Sequence, residues 1–180
     1  MANPSRYFPR VLVAPTPPKP PRDRRPPPPR ASIALGGGTV TAGGIPDPIH
    51  YAGADVVVTL LRRGEMAHTI GDTVRAVGKV WVHVACNSAA YVSHGRRLDY
   101  ALFHKAARAV VSHVTQGRTV HVHCLEGRHR TRAVVYLAAR LVGHPHNAAR
   151  ALVYTLRPWV NDPAWTRVLS QARAHFEGPP

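Results

Sequence analysis

The sequence predicts an α/β domain: a central mixed sheet of four or five strands, flanked by helices in three layers, behind a disordered N-terminal tail. Three observations predict it. Short runs of β-branched residues alternate with longer stretches of helical spacing, the pattern of a sheet covered by helices. Eleven of the 18 prolines fall within residues 1–31, a composition that cannot continue a helix or a central strand. The apolar run Thr119-Val120-His121-Val122 passes through nine residues, His123 to Thr131, into the helix-forming Ala133-Val134-Val135-Tyr136-Leu137-Ala138-Ala139-Arg140-Leu141.

Residues 1–31 carry seven basic side chains against one acid, Asp23. Too little apolar surface is present to offset the entropy of ordering, so the segment is expected to be disordered or extended polyproline II. Pro15-Thr16-Pro17-Pro18 fits a PxxP pattern, as any proline-rich tract does, and the reading is a linker or basic tail. The folded domain is placed at residues 32–178. Strands are expected at 33–36, 39–42, 55–60, 80–85 and 119–123. A short helix is expected at 47–53 and another at 65–77. The clearest helix is 97–116, where Leu98, Leu102, Ala106, Ala109, Val110 and Val114 follow one face and Gly117 ends it. Helices at 131–142 and 146–157 follow, the latter stopped by Pro158. A last helix runs through Gln171, with Asp162 as its N-cap and Pro163 at its first position.

At 180 residues and 44% apolar composition, the chain suffices for one domain with a sizeable core. The net charge of +15 favours anionic partners: phosphorylated groups, RNA or acidic lipid. Of the 24 basic residues, 21 are arginine, a profile that coding bias also produces, so charge alone leaves a polyanion surface open. The two cysteines, Cys86 and Cys124, show neither zinc-type pairing nor a disulfide framework. That fits a reducing compartment. With no apolar run of membrane-spanning length and no signal-peptide core, a soluble cytoplasmic protein is expected. The 12 histidines lack converging ligand spacing, so neither metal nor cofactor is expected. Trp81, Trp159 and Trp165 read as packing residues.

The chemistry concentrates between His123 and Thr131. A free thiol has a pKa of about 8.5 and is a poor nucleophile at neutral pH, but a helix N-terminus and nearby cations lower it. Cys124 stands before such a helix, with Arg128, His129 and Arg130 close by. Backbone N–H groups from Leu125 through Glu126, Gly127, Arg128 and His129 to Arg130 can curl around an anion. Gly127 permits the tight turn. Arg130 offers a planar fork matching two phosphate oxygens. Thr131 is placed to support the thiolate by donating a hydrogen bond to sulfur, and His123 to order the loop by bonding its backbone. Glu126 opposes a phosphate, so it is expected to face outward or pair with Arg128 or Arg132.

This nine-residue stretch resembles the signature loop of the cysteine-dependent protein tyrosine and dual-specificity phosphatases: His-Cys, five residues with glycine third, then Arg-Thr. The resemblance extends as a pattern over residues 32–178. Ala148 to Pro158 looks like the family's helix ending in Arg-Pro, and Asn161-Asp162-Pro163 like the segment after it. It implies hydrolysis of phosphomonoesters, most simply on phosphoproteins, with Cys124 as nucleophile and Arg130 holding the transition state. A basic residue at Arg128 occurs in relatives that act on phosphoinositides. One departure matters. The family's proton-donating aspartate lies 30–40 residues before the cysteine, and here Asn87 stands in its place. Asp99 is one substitute, although a first-turn helix charge explains it more simply. His94, His129 and Asp162 are others. Alternatively no acid is needed, as in RNA 5′-triphosphatases, whose leaving group is a phosphate; or the chain is a phosphate-binding pseudophosphatase. Cys86 reads as a packed side chain or as a partner for a protective disulfide with Cys124.

Overall fold

The computed structural model describes residues 31–45, 53–62, 64–86, 99–158 and 163–177. Five strands form one sheet: β1 (Ser32–Leu35), β2 (Gly38–Gly43), β3 (Val56–Thr59), β4 (Val80–His83) and β5 (Thr119–His123). Their spatial order is β1-β2-β5-β3-β4. β1 pairs antiparallel to β2, and every other pairing is parallel. Among the described residues five helices accompany them: α1 (Ala67–Ala76), α2 (Tyr100–Val114), α3 (Arg130–Leu141), α4 (His146–Leu156) and α5 (Pro163–Glu177). The expected mixed α/β architecture is therefore present.

The layers follow from strand alternation. In β3, Val56 and Val58 face a large core with residues of α2, α3, α4 and α5, whereas Val57 faces a smaller one with Ile70 and Val74 of α1. A parallel strand covered on both faces must be apolar throughout, which is what Val-Val-Val supplies. α3 is buried on nearly every side from Arg130 to Ala139, so it is the middle of its layer. α2 shows its buried stripe at Phe103, Ala106, Ala107, Val110 and Val114. The stripe is rotated from the expected face: Phe103 fills the core and Leu102 is half-buried, because α2 packs against α3 as well as the sheet. Asp99 caps α2, its carboxylate accepting from Leu102 N–H at 3.3 Å. Gly117 has φ +75° and closes the helix end as anticipated. The last helix runs six residues beyond Gln171, to Glu177, because Val168, Leu169 and Ala172 keep one face buried and Glu177 pairs with Arg140 and Arg173. The expected tail at 1–31 (but for Ala31), the short helix at 47–53 (but for Gly53), Asn87, His94 and the Asp162 cap lie outside the described residues.

Candidate active site

The Cys124 loop leaves the C-terminal end of β5, the central strand, and enters α3. Crevices at the carboxyl ends of parallel strands are where open α/β sheets bind ligands. β5 lies between β2 and β3, so its end is framed on both sides. From β2, the Gly43 carbonyl accepts from Cys124 N–H at 3.4 Å, and Ile45 N–H donates to the Leu125 carbonyl at 2.9 Å. From beyond α4, Arg157 donates to the carbonyls of Glu126 (3.1 Å) and Gly127 (3.4 Å). Arg132, itself buried, ties the Arg157 carbonyl at 3.0 Å. The Arg-Pro end of α4 thus grips the loop from outside, a contact that residue spacing does not reveal. Gly127 has φ +69°, and a Cβ there would stand 2.5 Å from the Gly43 backbone, so the turn requires glycine sterically and conformationally.

Inside the loop, Gly127 N–H donates to Cys124 Sγ at 3.2 Å. The thiol is almost wholly buried. Thr131 does not reach the sulfur here: its one hydroxyl proton goes to the Gly43 carbonyl at 3.4 Å, because α3 begins against the end of β2. Thr131 therefore braces the loop, and an amide takes the place expected for its hydroxyl. Leu125, Glu126 and Arg128 are exposed, His129 is half-buried, and Glu126 pairs with Arg128 at 3.6 Å on the surface. That pairing keeps the carboxylate on the exposed surface, one of the outcomes expected for Glu126.

Arg130 is buried and held from the segments that follow β3 and β4. Its Nη1 donates to the Leu60 carbonyl (3.1 Å), the Cys86 carbonyl (3.3 Å) and Glu65 Oε2 (2.6 Å), and its Nη2 to Glu65 Oε1 (3.4 Å). Nε and the second Nη2 proton enter no hydrogen bond among the described residues, which leaves two adjacent donors for an oxyanion. Glu65 escaped the sequence reading, which sought the acid where Asn87 stands and then at Asp99 and Asp162. Its signal was position: an acid soon after a parallel strand, at the sheet's ligand-binding end. Burial pushes the Glu65 carboxyl up, but hydrogen bonds from Arg130 and the Arg62 N–H outweigh it and leave the group below its ordinary value. Glu65 is thus an ionised partner of Arg130 and not a proton donor.

His123 is fully buried. Its Nε2 meets Thr59 Oγ1 at 2.8 Å. Burial lowers its pKa to about 4, the Cys124 backbone opposing and Arg130 adding to the effect. Cys86 is buried beside the loop; its thiol is pushed up to about 12 by burial, with Arg130 opposing and Asp99 and Cys124 adding. Both cysteines are free. Asp99 serves as the α2 cap described above. Among the described residues no cluster of three metal-ligating side chains exists, and no helix is long and apolar enough to cross a membrane.

No protein-family model matches the chain, and no curated protein matches it. Solved structures do. A mutant form of Tk-PTP aligns over 82% of this chain and 97% of its own, at 18% identity and a TM-score of 0.57. The kinase associated phosphatase KAP, carrying a serine in place of its catalytic-site cysteine, aligns over 73% and 75% at 14% identity and a TM-score of 0.56. The chain has the dual-specificity phosphatase fold. The core catalytic domain of the PP-IP phosphatase SIW14 from S. cerevisiae, in complex with citrate, also shares it, over 83% and 94% at 14% identity and a TM-score of 0.54.

Proposed function

We propose that this chain is a cysteine-dependent phosphatase that hydrolyses phosphomonoesters, with phosphoproteins as its substrate class. The observation that carries this reading is the Arg130 guanidinium. It is fixed by Glu65 and two carbonyls so that Nε and Nη2 remain for two phosphate oxygens, at the far end of the loop that seats Cys124. In the first step the Cys124 sulfur attacks phosphorus in line, the P–O bond to the substrate breaks, and the leaving oxygen departs with its electron pair. Arg130 and the loop amides carry the charge on the equatorial oxygens. Water then attacks the phosphocysteine, the P–S bond breaks, and thiolate and inorganic phosphate are released.

A specific observation favours a second reading. The carboxylate that meets Arg130 is held ionised, so it supplies no proton to an alkoxide. A phosphate leaving from an anhydride needs none, which is the chemistry of an RNA 5′-triphosphate. Initial rates on phosphotyrosine peptide, phosphothreonine peptide, an aryl phosphate, a phosphoinositide and 5′-triphosphorylated RNA separate the two. Turnover of the peptides supports the first reading; turnover of the RNA alone supports the second. Anion binding without turnover of any substrate makes the chain a pseudophosphatase. A rate that survives Cys124→Ser overturns both catalytic readings.

A further inference from the structure

The α1 face of the sheet is polar where a parallel core is normally aliphatic. Strand register places Thr41, His121, Val57 and Trp81 in one row across β2, β5, β3 and β4. The next row is Gly43, His123, Thr59 and His83. Side chains in register project to the same face. Across this face, Trp81 Nε1 donates to Thr59 Oγ1 at 2.9 Å, and Thr59 Oγ1 meets His123 Nε2 at 2.8 Å.

We propose that Trp81 and Thr59 are positioning residues that fix the tautomer of His123, and through it the seat of Cys124. Donors and acceptors decide the tautomer. An indole N–H can only donate. Thr59 therefore accepts from Trp81, and its own single proton needs an acceptor. Thr59 is fully buried, and the described partners of its hydroxyl are Trp81 and His123. Were His123 to donate as well, the Thr59 proton would be buried without a partner, which native interiors avoid. Hence Thr59 donates to His123 Nε2, and the ring proton sits on Nδ1. Nδ1 has no partner of ordinary hydrogen-bond geometry, but the Cys124 backbone raises the imidazole pKa and so offers its proton an acceptor, whereas the other tautomer would leave both the Thr59 proton and Nδ1 unpartnered. The imidazole is neutral at pH 7, so its tautomer is the variable that matters.

The direction of the relay is locked at its outer end. Gly71 of α1 forms a notch for the indole: a Cβ there would lie 2.6 Å from the Trp81 ring. The Arg75 guanidinium covers the ring at 4.6 Å from its centroid, and His83 stacks on it at 5.3 Å and 11°. Turning the indole over would withdraw Nε1 from Thr59 and clash with the helix. Three elements, α1, β4 and β3, thus orient one proton on β5. The catalytic part of this proposal rests on the reading of Cys124 as nucleophile; the tautomer does not.

The test uses full-length protein with 15N-labelled histidine. Long-range proton–nitrogen spectra at pH 7 identify which ring nitrogen of His123 is protonated, and the pH dependence of Cys124 alkylation by iodoacetamide, followed by peptide mass, reports the thiolate. Wild type is expected to show Nδ1–H alone. Thr59→Val and Trp81→Phe are expected to mix the tautomers and move the alkylation midpoint to higher pH. Thr59→Ser is expected to restore both. Where Trp81→Phe loosens the core, 3-benzothienylalanine at position 81 keeps the ring and removes only the N–H. On an aryl phosphate, kcat/KM is expected to fall by up to about a hundredfold, the scale of a misplaced catalytic group. A wild-type spectrum showing Nε2–H overturns the proposal. So do Thr59→Val and Trp81→Phe proteins with the wild-type tautomer and alkylation midpoint. If no form turns over any phosphate ester, the functional reading fails while the spectra and alkylation still decide the relay.

Discussion

Glu65 and Arg130 form a nearly buried ion pair, 14% and 5% exposed at the side chain, beside the Cys124 loop. Breaking such a pair from one side leaves an uncompensated buried charge, which costs more than the pair itself contributes. Glu65→Gln keeps the shape and removes the charge. It is expected to destabilise the fold by about 1–3 kcal/mol in urea unfolding, the scale of a hydrogen bond between charged groups. Added phosphate should recover more of that loss than it adds to wild type, because it gives Arg130 a new anion; equal shifts in the two proteins would refute this. Gly127→Ala forces a side chain onto a left-handed backbone and into Gly43. The expected result is loss of aryl phosphate hydrolysis by about a hundredfold or more, and a rate within twofold of wild type would show that the loop does not need this turn. At this scale the sequence was legible wherever residues were neighbours: His123 to Thr131 is one continuous stretch. Thr59 and Trp81 were not, because they lie on other strands whose register spacing along the chain does not encode, nor was Glu65, which meets Arg130 from the segment between β3 and α1.

Elements were legible almost throughout, because β-branched runs and helical spacing are local signals. All five expected strands are present, with β3 and β4 shorter at their ends. What spacing could not provide was helix rotation, set by what each helix meets: the α2 stripe turned toward Phe103, and the close approach of α1 to β4 depends on Gly71. That approach makes a sharp prediction. Alanine is a better helix former than glycine by about 1 kcal/mol, so Gly71→Ala should stabilise α1 on propensity alone. A Cβ inside the Trp81 ring outweighs this, and overpacking costs about 1–3 kcal/mol. Urea unfolding should show net destabilisation; a gain in stability would mean that the indole has room to move.

The whole molecule carries its buried imidazole as an acid liability. Burial holds His123 at about 4, against an ordinary value of 6.5. Between those values the unfolded chain binds a proton that the folded chain refuses, so stability rises with pH. The contribution is complete above pH 6.5, declines by about 1.4 kcal/mol per pH unit below it, and stops declining near pH 4. His104, His113 and His146 are lowered chiefly by burial and act with the same sign. Glu65, lowered by its arginine partners against burial, adds a further loss as pH falls through its folded value. Chemical denaturation at pH 7.5, 6.5, 5.5 and 4.5 should show a flat top and then a decline, and a flat profile throughout would contradict the burial of His123. Net charge and a proline-rich start were equally plain in the sequence, but they bear on partners and not on this core.

The strand order has a consequence in time. β5 completes the sheet from its middle, joining β2 and β3, which precede it by some 80 and 60 residues. Contacts so distant along the chain form slowly, because a long loop must close before they yield anything. Until β5 arrives, β2 and β3 each expose an edge able to pair with another chain. A newly made chain therefore seats the Cys124 loop only once β5 docks, and its most vulnerable moment is the interval before residue 123 does so.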